Sequence, residues 1–208
     1  MWRYLIFIGF VLLIFGCHRA IQQGTPEQNH QQYLEKYKHE FLTDTRSPLS
    51  KNDLINLDFF EFDGSWQLIC TCTEPTSSKV FEMDLYSGKQ RPYKVFKVLH
   101  CARLQQKFTL ELYKSMVQPS NPLYEHYLFL PFKDITNGDM TYGGGRYIDI
   151  KDFDIVGDSV LIDFNRAYNP WCAYSSGYNC PVPPKANHLD FEVKVGEKAY
   201  KGSYKDHK

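Results

Sequence analysis

The sequence predicts a mainly β domain (β-rich α+β): an antiparallel meander closing into a barrel or sandwich, with one N-terminal amphipathic helix. A long ordered irregular segment near 165–187 interrupts it. Three observations carry this expectation. Short stretches rich in Tyr, Phe, Val and Ile recur along the chain, which holds 15 Tyr and 15 Phe in 208 residues, and such residues favour strands. Turn residues separate these stretches at close spacing, as in all-β domains. Helical periodicity is confined to one region near the N-terminus.

That region is 27–43. Thr25-Pro26-Glu27 supplies an N-cap and a proline for the first turn. Tyr33, Leu34, Tyr37, Phe41 and Leu42 then recur at three- and four-residue spacing, and Pro48 closes the element. The apolar face is expected to pack on the domain.

Beyond Pro48 the period falls to two. Trp66 to Thr73 and Val80 to Tyr86 read as strands, the second ending in the turn pair Ser87-Gly88. Tyr93 to Arg103 and Lys107 to Lys114 form a pair around Gln105-Gln106. Tyr124 to Phe132, Arg146 to Ile150, Ser159 to Phe164, Leu189 to Val195 and Ala199 to Tyr204 complete the set. No internal repeat and no second domain is evident.

The N-terminus reads as an address. Arg3 precedes an apolar run, Tyr4 to Phe15, of about 12 residues, roughly 18 Å as a helix. A bilayer core is roughly 30 Å thick, so the run reads as a signal peptide over 1–16. Ile14-Phe15-Gly16-Cys17 resembles a bacterial lipobox, which makes Cys17 the lipidated first residue. Residues 17–26 then form a polar tether, and 27–208 a single β-rich domain. The expected place is the bacterial cell envelope, with the membrane reached through the N-terminal lipid. His18, where Asp would signal inner-membrane retention, points to the periplasmic face of the outer membrane.

Charge narrows the partners. Twenty-four Lys+Arg against 24 Asp+Glu leave no basic excess, so nucleic acid is not expected. No cofactor is implied. A small polar or anionic ligand remains compatible.

Residues 127–189 are the most distinctive stretch. Leu130-Pro-Phe-Lys-Asp134, Thr141-Tyr-Gly-Gly-Gly-Arg-Tyr147 and Asp163-Phe-Asn-Arg-Ala-Tyr-Asn-Pro170 stand out. So do Cys172-Ala-Tyr, Cys180-Pro-Val-Pro-Pro184 with Asn187, and Gly196-Glu197-Lys198. These runs resemble the bacterial family of domain of unknown function 1684, from near Tyr33 to about Tyr200. Trp171 departs from the pattern, where a second proline is expected. The resemblance implies no activity and no catalytic residue.

The residues themselves suggest a pocket. Gly143, Gly144 and Gly145 let a backbone or ligand approach closely, and their N–H groups can cradle an anion beside Arg146. The plainer reading is a tight turn between strands. Alternation puts Asp163 and Asn165 on one face of a strand end, with Phe164 and Arg166 on the other. Arg166 can grip a carboxylate, either a ligand's or the protein's own at Asp134 or Asp149. The proline-rich runs around Tyr168 and Asn187 need side-chain partners for their backbone, which Asn165, Asn169, Asn179 and Asn187 can supply. Tyr142 and Tyr168 add aromatic surface beside the turn and this segment.

With Cys17 assigned to lipid, five cysteines remain. Cys172 and Cys180 read first as a disulfide in an exported chain. Alternatively Cys172 is a nucleophile with His188 as base, oriented by Asn187 or Asp190. A metal site of Cys172, Cys180 and His188 lacks a fourth ligand, and inert buried thiols are the remaining option, so no metal is assigned. Cys70 and Cys72 share a strand face, and Cys101 can pair with one of them across the sheet. The functional reading is a binding or accessory module, leaning away from an enzyme. An envelope hydrolase built on Cys172 and His188 is the alternative.

Overall fold

The structure is a computed structural model, and it describes residues 24–117 and 124–206. The signal over 1–16, the lipid site at Cys17 and most of the tether lie outside the described residues.

Helix α1 spans Pro26–Thr43. Thr25 caps it: its hydroxyl accepts from the Gln28 N–H, and the Gln28 side chain accepts from the Thr25 N–H at 2.9 Å. This reciprocal capping box satisfies two end donors and sets the start of the helix. Leu34, Tyr37 and Phe41 form its buried stripe.

Among the described residues seven strands follow: β1 (Gln67–Thr73), β2 (Phe81–Asp84), β3 (Gln90–Arg103), β4 (Gln106–Ser115), β5 (Tyr127–Phe132), β6 (Arg146–Lys151) and β7 (Ser159–Asp163). They form one antiparallel sheet in the order β6-β5-β4-β3-β1-β7, with β2 also paired to β3. The sheet curls into an open half-barrel. It does not close as the sequence predicts, because β6 and β7 end the sheet without meeting.

Alternation along each strand places one set of side chains on the concave side. Leu68, Cys70 and Cys72 come from β1, Leu99 and Cys101 from β3, and Leu110 and Leu112 from β4. Leu128, Leu130 and Phe132 (β5), Ile148 and Ile150 (β6), and Val160 and Ile162 (β7) complete the set. Residues 189–195 cover this core without becoming a strand. Leu189, Val193 and Val195 are buried against it, which is why the stretch alternates like one. Residues 199–204 are likewise irregular.

Among the described residues two disulfides cross-link the domain. Cys70 and Cys101 face each other across β1 and β3, 4.5 Å apart at Cα. Cys172 bonds Cys180. Cys72 is a buried free thiol.

One ladder is nearly empty. β4 and β5 share a single residue pair, Tyr113 with Phe129. Asn187 fills the gap with its side chain. Its Oδ1 accepts from Glu111 N at 2.7 Å, and its Nδ2 donates to Glu111 O at 2.9 Å and Pro131 O at 2.7 Å. One carboxamide therefore does for both strands what a neighbouring backbone would do.

Candidate functional site

A cleft of about 1140 Å³ lies between α1, the outer face of β5 and β6, and residues 166–181. Register builds its floor. On β6, Tyr147, Asp149 and Lys151 point away from the core because Ile148 and Ile150 point into it. Directly opposite on β5 stand Pro131, Phe129 and Tyr127. Helix α1 supplies one wall with Tyr33, Lys36, Tyr37 and Glu40. The other wall carries Arg166, Tyr168, Trp171 and Tyr178.

Tyr168 holds this second wall to the floor. Its backbone exchanges two hydrogen bonds with Tyr147, at 2.9 and 3.0 Å, as a one-residue extension of the sheet edge. Its hydroxyl donates to Asp149 Oδ1 at 2.9 Å. Asp149 meets water through the mouth of the cleft, yet protein surrounds the carboxylate below the rim. Partial loss of water lifts the Asp149 pKa to about 6, and the Glu40 charge adds to the rise while the Tyr168 hydroxyl opposes it. Among the described residues no cation pairs with Asp149.

Behind the α1 wall lies a second carboxylate, Glu197, fully buried. Its Oε2 accepts from Tyr37 Oη and Asn169 N, both at 2.8 Å, and its Oε1 accepts from Tyr174 Oη at 2.6 Å. Burial lifts its pKa to about 7 against the pull of these donors. The Tyr37 and Tyr174 hydroxyls also lie 3.1 Å apart. When Glu197 is protonated the three groups close a ring, each donating to the next; when it is ionised both phenols donate to it.

The structure distributes the sequence-predicted residues differently from the expectation. Arg166 and Tyr168 line the cleft. Arg146 does not reach a ligand: it is fully buried, with Nη2 donating to Asp134 Oδ2 (2.8 Å) and Val193 O (2.7 Å). Its Nη1 donates to the Val195 and Glu197 carbonyls. Four of its five donors are thus spent inside the protein, and among the described residues Nε faces no partner. An anion cradle at the glycine turn therefore loses its arginine. Gly145 has φ +93° and sits against Phe132 O. Gly144 faces Tyr142, and the Gly144 carbonyl accepts from Tyr86. Gly143 is unconstrained by comparison. Tyr142 donates to the Cys172 carbonyl at 3.3 Å.

Asp163 and Arg166 do not lie on opposite strand faces. The strand ends at Asp163, residues 164–166 form a 3-10 turn, and Arg166 Nε comes 3.4 Å from Asp163 Oδ2. This is the ion pair of Arg166, in place of Asp134 or Asp149. The asparagines serve the backbone. Asn165 bonds both backbone groups of Asp63, and Asn169 donates to Lys198 O. Asn187 is the bridge between β4 and β5.

The catalytic alternative fails on geometry. The Cys172 sulfur is bonded to Cys180, so it offers no thiolate. His188 Nε2 lies 3.0 Å from the Pro183 carbonyl. The same disulfide removes the metal alternative. The sequence reading missed Asp149 as a floor group, although the Tyr147-Asp149-Lys151 alternation marks a polar face. It named Glu197 only within the Gly196-Glu197-Lys198 run and gave it no role, although it stands two residues beyond Val195 in an inward-pointing series.

Among curated proteins none matches the chain. Among solved structures, an uncharacterised protein of Haloarcula marismortui, determined by solution NMR, is similar at 27% identity and a TM-score of 0.62. The match covers 82% of this chain and 95% of that one. Residues 52–198 match the family described as protein of unknown function (DUF1684), and with Arg146, Arg166 and Glu197 all inside that span, the chain belongs to this family.

Proposed function

We propose that the protein is a lipid-tethered envelope module that binds a small polar ligand in the cleft between α1 and β6. The observation that carries the binding reading is Asp149: a carboxylate open to the cleft, hydrogen-bonded through one oxygen to Tyr168, among aromatic walls. Concave, mostly aromatic sites with a few fixed polar groups are how proteins hold small ligands. Two disulfides support an oxidising compartment. The capped start of α1, a short way after Cys17, leaves room for a brief polar tether.

A native mass spectrum of residues 20–208 secreted into an oxidising compartment tests the binding reading. A retained small molecule, lost in Asp149→Asn, supports it. Retention that ignores Asp149 and every other cleft substitution overturns it. The tether is tested by labelled palmitate: incorporation at Cys17, and release from the membrane fraction in Cys17→Ser, are expected. Recovery of unlabelled wild-type protein in the soluble fraction overturns the tether.

A further inference from the structure

Charge pairing within the cleft identifies what its ligand should carry. Lys36 lies 3.9 Å from Glu40, and Arg46 lies 2.8 Å from Asp44. Arg166 is paired with Asp163 and rests over the Tyr33 ring at 5.2 Å. The Lys151 ammonium sits over the Phe153 and Tyr127 rings at 5.3 and 5.9 Å. Asp154 accepts from the Lys151 backbone N–H. Among the described residues Asp149 meets no cation, only the neutral Tyr168 phenol, and Glu40 adds charge of the same sign.

Resting on the binding reading above, we propose that the cleft takes an organic cation. Its ammonium would sit at Asp149, and its methyl or methylene groups against Tyr168, Tyr33 and Tyr127. An ammonium carried on carbon is attracted to aromatic faces as well as to a carboxylate. The walls already show this chemistry twice, at Lys151 and Arg166. A hard metal ion suits the site poorly, because it requires several oxygen ligands. Among the described residues no three His, Cys, Asp or Glu side chains are placed to hold one. An anion is less well served, since Arg46 and Arg166 are paired, Arg146 is buried and the Lys151 ammonium rests over two rings.

The test is an NMR titration of the secreted domain with choline, with its neutral isostere 3,3-dimethyl-1-butanol, and with maltotriose. Choline is expected to shift the ring signals of Tyr33 and Tyr168 saturably, at least about tenfold more tightly than the alcohol. Asp149→Asn, shown folded by its amide fingerprint, should lose about the same factor, and Glu61→Gln, at an exposed carboxylate outside the cleft lining, should lose nothing. Equal binding of choline and the alcohol, unchanged in Asp149→Asn, overturns the cation while leaving the cleft as a binding site. Saturable maltotriose binding without choline binding does the same. Failure of all three probes to shift the cleft signals overturns the cation and counts against the cleft itself.

Discussion

Tyr37 and Glu197 are 160 positions apart in the chain, and the phenol donates to the carboxylate at 2.8 Å. This bond ties the N-terminal helix to the C-terminal segment inside the protein, where no water can replace it. It also makes the docking of α1 sensitive to proton binding.

Burial lifts the Glu197 pKa from 4.5 to about 7. Below 4.5 the group is neutral folded and unfolded alike. Between 4.5 and 7 the unfolded chain releases the proton while the folded one keeps it, so stability falls as pH rises through that window. The loss is on the order of 3 kcal/mol. Glu197→Gln should flatten this slope, because its amide can close the same ring with Tyr174 and Tyr37. Urea unfolding from pH 4 to pH 8 checks it: the variant should match or exceed wild type at pH 8, and a retained slope would place the titration elsewhere.

Tyr168→Phe removes the donor that holds the Asp149 carboxylate in its charged form. The Asp149 pKa should rise above about 6, followed through its side-chain carbon resonance. Cation affinity at pH 6 should drop with it.

Arg146→Met leaves the buried Asp134 carboxylate without its cation and the carbonyls of Val193, Val195 and Glu197 without donors. Breaking a buried pair from one side costs roughly 3–5 kcal/mol. Arg146→Met with Asp134→Asn should cost less than Arg146→Met alone, measured by thermal unfolding.

The glycine turn should respond unevenly. Alanine at Gly145 would place Cβ 2.6 Å from Phe132 O at φ +93°, whereas at Gly143 the nearest atom is 3.6 Å away. Gly145→Ala should lose well over 1 kcal/mol, from the backbone penalty of roughly 1–2 kcal/mol plus the contact. Gly143→Ala should fall within about 0.5 kcal/mol of wild type.

The two disulfides close loops of different length, with sequence separations of 31 and 8. Chain entropy predicts about 4 kcal/mol for Cys70–Cys101 and about 2.5 for Cys172–Cys180. Paired alanine substitutions should rank in that order by urea midpoint, and the second pair should also loosen the wall that carries Tyr168.

Much of this architecture was legible in the sequence. Thr25 and Pro26 announce the helix start, and the alternation of Leu68, Cys70 and Cys72 announces a half-buried strand. Residues 189–195 alternate just as well and are not a strand. Their carbonyls bond to the Arg146 guanidinium and the Val193 N–H to Asp134, so side chains stand where a sheet neighbour would be. Periodicity reports which side chains face the core, not what the backbone bonds to. The cleft was less legible still. Tyr33, Asp149 and Tyr168 meet only through tertiary packing, and no local spacing brings them together.

The Asn187 bridge sets an order of events for the folding chain. A chain ending before residue 187 contains every strand, yet β4 and β5 meet at one residue pair. The two halves of the sheet are joined by a carboxamide that arrives from 76 positions beyond Glu111. Such distant contacts form slowly. Completion of the sheet therefore waits for nearly the whole chain.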